Sequence, residues 1–164
     1  MIDRRVLLSS AAGLAAMSWF FRPGKASATK RFEVEKAPEE WKRQLTPAQY
    51  RILREQGTEP AYSSPLNNEH RKGTFACAGC DQALFASETK FESGTGWPSF
   101  YDHLPGAVGT TTDRSYFMVR TAVHCSRCGG HLGHVFNDGP KPTGLRYCTD
   151  GLALNFKPAA PTAS

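Results

Sequence analysis

Apolar residues recur along this chain in two rhythms, and the change from one to the other divides it. Between Ala37 and Gly57 the spacing is helical. Trp41 and Leu45 lie four apart on one face, and Tyr50 and Leu53 form a second stripe. Pro38 suits a first helical turn, where Glu39 and Glu40 complement the helix dipole. Thr46-Pro47-Ala48-Gln49 marks a second start, a hydroxyl cap with a glutamine three residues on. Gly57 is placed as its stop. From residue 73 to 156 the pattern shortens to strands: Thr74-Phe75-Ala76, the run from Ser115 to Arg120, and the run from Leu152 to Phe156. In the last of these Leu152, Leu154 and Phe156 alternate with smaller or polar residues, as in a half-buried strand. Turns fall at Pro105-Gly106, Asp138-Gly139-Pro140 and Pro142-Thr143-Gly144, and the tail from Pro158 to Ser164 is expected to fray.

Ahead of the helices the pattern is neither helical nor β. Arg4-Arg5 precedes an apolar run from Val6 to Phe21, and Ala26-Ser27-Ala28 supplies the small-x-small motif of a cleavage site. Residues 1–28 are therefore expected to be an export signal peptide, leaving 29–164 as the mature domain of an exported, bacterial periplasmic protein. Retention as an N-terminal membrane anchor is the alternative. The arginine pair resembles a twin-arginine signal, with departures at Asp3 and Leu7.

Composition changes the picture in one respect. The chain's 164 residues suit one domain with its own core. A formal charge of +5 invites a nucleic-acid or membrane-surface reading. Loss of residues 1–28 would remove four basic residues (Arg4, Arg5, Arg22, Lys25) and one acid (Asp3), so the charge falls from +5 to +2. The excess belongs to the export segment, and no nucleic-acid partner is expected.

Cys77-Ala78-Gly79-Cys80 and Cys125-Ser126-Arg127-Cys128 are two C-x-x-C pairs separated by 44 residues. Two such knuckles can bring four thiolates together as the tetrahedral donor set that suits Zn²⁺, one ion per chain. Redox C-x-x-C pairs and structural disulfides compete with that reading. Zinc in the four-cysteine site is favoured, because two knuckles in one chain point to a metal. It isolates the fifth cysteine, Cys148.

A lone cysteine can be a small buried hydrophobe. Against that stand Arg146, whose cation can stabilise a thiolate, and the nearby His131-Leu132-Gly133-His134-Val135-Phe136. If strands bring these together, a low-pKa thiolate has proton donors beside it. With four cysteines available for a metal, His131 and His134 are surplus as ligands, although both can also be ordinary surface residues. Gly94-Thr95-Gly96-Trp97-Pro98-Ser99-Phe100 reads either as a loop packing an aromatic into the core or as the wall of a pocket for a methyl-sized group.

These segments, together with Asp138-Gly139-Pro140, Arg146-Tyr147-Cys148 and the two knuckles, resemble the B-type peptide-methionine (R)-S-oxide reductases, in that family's order, from about Trp41 to Phe156. The resemblance implies a mainly β fold of two antiparallel sheets with short N-terminal helices and a structural zinc remote from the active site. It implies thiol-dependent reduction of methionine (R)-sulfoxide in oxidised proteins or peptides, hence protein repair. Carried over, Cys148 is the nucleophile, His131 and His134 position the sulfoxide oxygen and assist proton transfer, and Trp97 receives the methyl group. Phe136 and Asp150 add to the substrate site, while Arg146 and Asp138 shape the polar side and the thiolate's field.

Two positions depart from the family. Many members carry a resolving cysteine where this chain has Thr95, and no sixth cysteine exists here. An external thiol, thioredoxin-like, glutaredoxin-like or small, is therefore expected to reduce Cys148 sulfenic acid back to the thiol in a monomeric enzyme. Asp150 stands where the family usually has asparagine, and a carboxylate so close is expected to raise the thiol's pKa. A zinc-knuckle binding module or a scaffold with an inert Cys148 is the competing reading.

Overall fold

A computed structural model describes residues 32–160. The export-signal expectation for residues 1–28 lies outside the described residues. Two short helices lead the described residues, α1 (Pro38–Gln44) and α2 (Pro47–Glu55). Their starts follow the sequence signals. Glu40 accepts a hydrogen bond from the Ala37 N–H, and Thr46 and Gln49 exchange side-chain-to-backbone bonds of 3.1 and 3.2 Å. The stop differs from expectation. Gln56, not Gly57, takes the left-handed conformation (φ 55°), and the Gly57 N–H then reaches the Arg51 carbonyl at 2.9 Å.

Among the described residues nine strands follow: β1 (Gly73–Cys77), β2 (Ala83–Ala86), β3 (Lys90–Phe91), β4 (Ser99–Phe100), β5 (Val108–Asp113), β6 (Arg120–Cys125), β7 (His131–Phe136), β8 (Arg146–Thr149) and β9 (Leu154–Pro158). They form two antiparallel sheets, one of order β2-β1-β9 and one of order β3-β4-β8-β7-β6-β5. The expected architecture, mainly β with short N-terminal helices, is the one observed. The core is aromatic: Phe85 stacks on Phe100 with centroids 4.3 Å apart, Phe75 meets Phe100 edge-on, and Trp41, Leu53 and Leu132 close around them. Such offset and edge-on pairs add to the burial of large apolar area.

Two expected strands are corrected. The run from Ser115 to Arg120 is a turn linking β5 to β6, not a strand. The Met118 N–H returns to the Ser115 carbonyl at 3.1 Å to close a tight turn in which Tyr116 and Phe117 are both left-handed, and extended pairing resumes only at Arg120. Its β-forming side chains find no neighbouring strand to pack against, so propensity is overridden. The run from Leu152 to Phe156 begins its strand late. The Glu59 carboxylate accepts the N–H groups of Gly151 and Leu152, which holds Gly151–Ala153 as a turn and swings Leu152 outward while Ala153 and Leu154 are buried.

Candidate active site and metal centre

The two C-x-x-C knuckles occupy equivalent places. One follows β1 and leads to β2, the other joins β6 to β7, and each closes with an N–H from four residues on returning to the first cysteine's carbonyl (Asp81 to Cys77, Gly129 to Cys125). The four sulfurs lie within 4.8 Å of one another, with Cys77–Cys128 at 3.7 Å and Cys80–Cys125 at 3.5 Å. Thiolates about 2.3 Å from a central ion would sit at the corners of a tetrahedron with edges of about 3.8 Å. Donor type, number and spacing thus fit a metal ion, and neither pair is joined as a disulfide. Without a cation the thiols cannot all ionise. Contact with neighbouring sulfurs, Cys125 foremost, pushes Cys77 and Cys128 up, while Cys80 and Cys125 are drawn down as their partners keep the protons. The centre ties the three-stranded sheet to the six-stranded one.

The fifth cysteine sits elsewhere. Cys148 on β8 pairs across the ladder with Ser99 of β4 on one side and His134 of β7 on the other. That close approach needs Gly133: at its φ of 145° a Cβ would lie 2.0 Å from the Cys148 carbonyl oxygen. Cys148 opens into a small pocket, about 140 Å³, lined also by Trp97, Phe136, His134, Arg120 and Asp150. A space of that size matches the end of one side chain, comparable with the roughly 150 Å³ cavity that accepts benzene. Knuckle residues take no part in its lining.

Each wall has its own support. Trp97 donates its indole N–H to the Glu59 carbonyl at 3.2 Å. Phe136 lies beneath the Arg146 guanidinium, 4.4 Å from ring centre to cation. Asp138 grips that guanidinium with both oxygens, at 2.9 and 2.8 Å. Asp138 itself is largely exposed and does not line the pocket, so its influence on Cys148 passes through Arg146.

The two histidines separate in character. His134 lines the pocket, and its Nε2 lies 2.8 Å from Asp113 Oδ2. Hydrogen bonds from Ser115, then from His134 and Arg120, hold the Asp113 carboxyl well below the usual range. An ionised carboxylate can only accept, so Nε2 carries the proton and Nδ1 is the nitrogen left for a ligand. Arg120 donates to the same Asp113 oxygen at 2.7 Å. His131 is buried beside His134, with ring centres 5.4 Å apart, outside the pocket lining. Burial drives its pKa down to about 4, so it is neutral at pH 7.

The electrostatics of Cys148 differ from the expectation of a low-pKa thiolate. Burial pushes the thiol above its ordinary value. The Thr95 hydroxyl, 3.8 Å from Sγ, and the Arg146 cation pull it back only in part, and Asp150 adds to the rise. Asp150 is itself buried and accepts the Glu59 N–H at 2.8 Å, and burial raises its carboxyl to about 7. Three supports escaped the sequence: Asp113, Arg120 and Glu59. An acid and an arginine flanking one β-turn are the only local signal for the first two, and Glu59 acts across 91 residues.

A single thiol in an apolar-walled pocket beside a carboxylate-held histidine, on a β fold knit by four clustered cysteines, is a site equipped for the redox chemistry of an oxidoreductase. Comparison with known proteins narrows the class. The SelR domain matches residues 45–158. The chain is 56% identical over 127 residues to the peptide methionine sulfoxide reductase MsrB of Leptospira interrogans, covering 77% of this chain and 97% of that protein. It is 59% identical over 125 residues to the protein of that name from Methanosarcina barkeri, covering 76% and 88%. To that of Agrobacterium fabrum it is 53% identical over 127 residues, covering 77% and 94%. The chain belongs to this family, the peptide-methionine (R)-S-oxide reductases, which are oxidoreductases.

Proposed function

We propose that the protein repairs oxidised proteins by reducing methionine (R)-sulfoxide through a cycle with one catalytic cysteine. One observation carries this reading: Cys148, the single thiol outside the metal centre, faces the pocket with a hydroxyl, Thr95, as its near neighbour at 3.8 Å. The substrate methyl rests against Trp97 and Phe136, and His134, in its doubly protonated form, donates its Nδ1–H to the sulfoxide oxygen. The Cys148 sulfur attacks the sulfoxide sulfur as the oxygen takes a proton. Transfer of that oxygen leaves methionine and Cys148 sulfenic acid, so the substrate gains the two electrons that Cys148 loses. An external thiol then condenses with the sulfenic acid, forming a mixed disulfide and releasing the oxygen as water. A second thiol attacks the mixed disulfide and returns Cys148.

In this reading Asp113 orients His134 and Asp138 orients Arg146. His131 stays neutral behind them, its ring packed edge-on against that of His134. The ion of the four-cysteine centre is Zn²⁺, which takes thiolate donors in a tetrahedron and has no redox chemistry of its own, so its part is structural. The signal-like residues 1–28 support export to the bacterial periplasm. The test is steady-state reduction of R and S sulfoxides with several thiol donors. R-specific turnover that disappears in Cys148→Ser while metal content is retained is the expected outcome; unchanged activity in that variant would overturn the reading and leave a scaffold.

A further inference from the structure

The turn between β5 and β6 presents Tyr116, Phe117, Met118 and Val119 to solvent, four consecutive large apolar residues. Tyr116 is 81% exposed and Phe117 completely so. Isolated exposed apolar residues are ordinary on a surface, whereas a contiguous group marks an interaction site. Backbone conformation makes the exposure more pointed. Tyr116 (φ 53°) and Phe117 (φ 57°) are left-handed in succession, a region that disfavours side chains with a Cβ. No burial within the domain offsets that strain, and strain of this kind gathers at functional sites.

The turn is joined to the catalytic groups at both ends. Asp113 Oδ1 accepts the Ser115 N–H at 2.8 Å, and Arg120 donates to Asp113 Oδ2 and to Ser115 Oγ. The oxygen that receives Arg120 also receives His134. A second cavity, lined in part by Tyr116, Arg51 and Gly57, shares Thr58, Arg120 and His134 with the sulfoxide pocket. One surface therefore runs from the reacting sulfur to the apolar turn.

We propose that the Tyr116–Val119 turn docks an extended polypeptide substrate, by contact with apolar residues flanking the oxidised methionine. This rests on the sulfoxide-reductase reading and goes further, because it assigns this protein a preference among oxidised polypeptides. The pocket holds only the reacting side chain, and the turn supplies the area from which a longer chain gains affinity. A lipid surface is the other apolar partner such a turn could meet, but the turn's continuity with the sulfoxide pocket favours a polypeptide.

Two peptides of equal length, each with a central methionine (R)-sulfoxide and flanked by Leu and Phe or by Ser and Asn, test this beside N-acetylmethionine (R)-sulfoxide. Phe117→Gly removes the side chain and suits the left-handed backbone, so it isolates docking from folding. Phe117→Ser/Val119→Ser is the second variant. The wild type is expected to favour the apolar-flanked peptide. Both variants are expected to lose about tenfold in kcat/KM on that peptide, through KM, with the small sulfoxide unaffected. Equal loss on the small substrate, equal treatment of the two peptides, or unchanged peptide kinetics with lost binding to phosphatidylglycerol vesicles would each overturn the proposal. Failure of the wild type to reduce the small sulfoxide would instead overturn the underlying reading.

Discussion

The Thr95 hydroxyl lies 3.8 Å from the Cys148 sulfur and is held by Ser93 at 2.9 Å, which in turn bonds Ser99. A side-chain atom at position 95 is thus already within reach of the nucleophile, and the chemistry of that position decides how the oxidised enzyme is resolved. Thr95→Cys is expected to give a disulfide between the introduced thiol and Cys148 after one turnover. It should also make turnover less dependent on direct thiol attack at Cys148. Thiol titration and peptide mapping after one equivalent of substrate check this. A T95C protein that still accumulates sulfenic acid would show that the backbone holds the two positions too far apart for a bond.

Asp150 should impose a pH dependence of its own. Its carboxyl, raised to about 7, is neutral below that pH and charged above it. The new charge disfavours the adjacent thiolate, so the Cys148 thiol titrates higher in the wild type than in Asp150→Asn. Alkylation of Cys148 by iodoacetamide between pH 6 and 9 is expected to be faster in D150N above pH 7 and similar below it. Stability follows the same sign. The native carboxyl binds a proton more tightly than the unfolded one, so its contribution is fully present below the unfolded pKa and fades as pH rises through about 7. The melting temperature of D150N should therefore gain on the wild type with rising pH, and parallel curves would contradict the assignment.

Loss of the Asp113–His134 contact should slow the chemical step with little effect on substrate affinity. His134→Ala is expected to lower kcat by about 10² or more, the usual contribution of a positioned acid. Asp113→Asn should cost less, and it should alter the pH profile of kcat because the amide can no longer fix the Nε2 proton. A D113N enzyme with an unaltered profile would reduce Asp113 to an anchor of the β5–β6 turn.

The metal centre should support the fold and not the pocket chemistry. Metal analysis is expected to give about one zinc per chain. Replacing Cys77 or Cys125, both fully buried, should release the ion and lower the melting temperature by well over ~10 °C. A metal-free protein with unchanged melting would mean that the knuckles hold their geometry unaided.

Local chemistry made much of this legible in the sequence. Proline and carboxylate at the start of α1, and the Thr46–Gln49 pair at α2, write helix starts into a few adjacent residues. The knuckles announce themselves by spacing, and Cys148 by being left over. Trp97, Phe136, His134, Cys148 and Asp150 do share one pocket. What escaped depends on contacts formed only when distant segments meet. Glu59 determines where β9 begins, from 92 residues away, by accepting the Gly151 N–H. Asp113 and Arg120 face each other only through the register of β5 and β6, and the apolar run between them reads as a strand while folding as an exposed turn. The resting state of Cys148 was equally hidden, because burial outweighs the visible cation of Arg146.

The central claim is that Cys148 alone carries the oxidised state. Its most direct test is peptide mapping of the zinc-loaded wild type after one equivalent of methionine (R)-sulfoxide, without reductant and with a sulfenic-acid trap. One trapped adduct is predicted, on Cys148, with Cys77, Cys80, Cys125 and Cys128 unmodified. A disulfide between Cys148 and any of those four would contradict it.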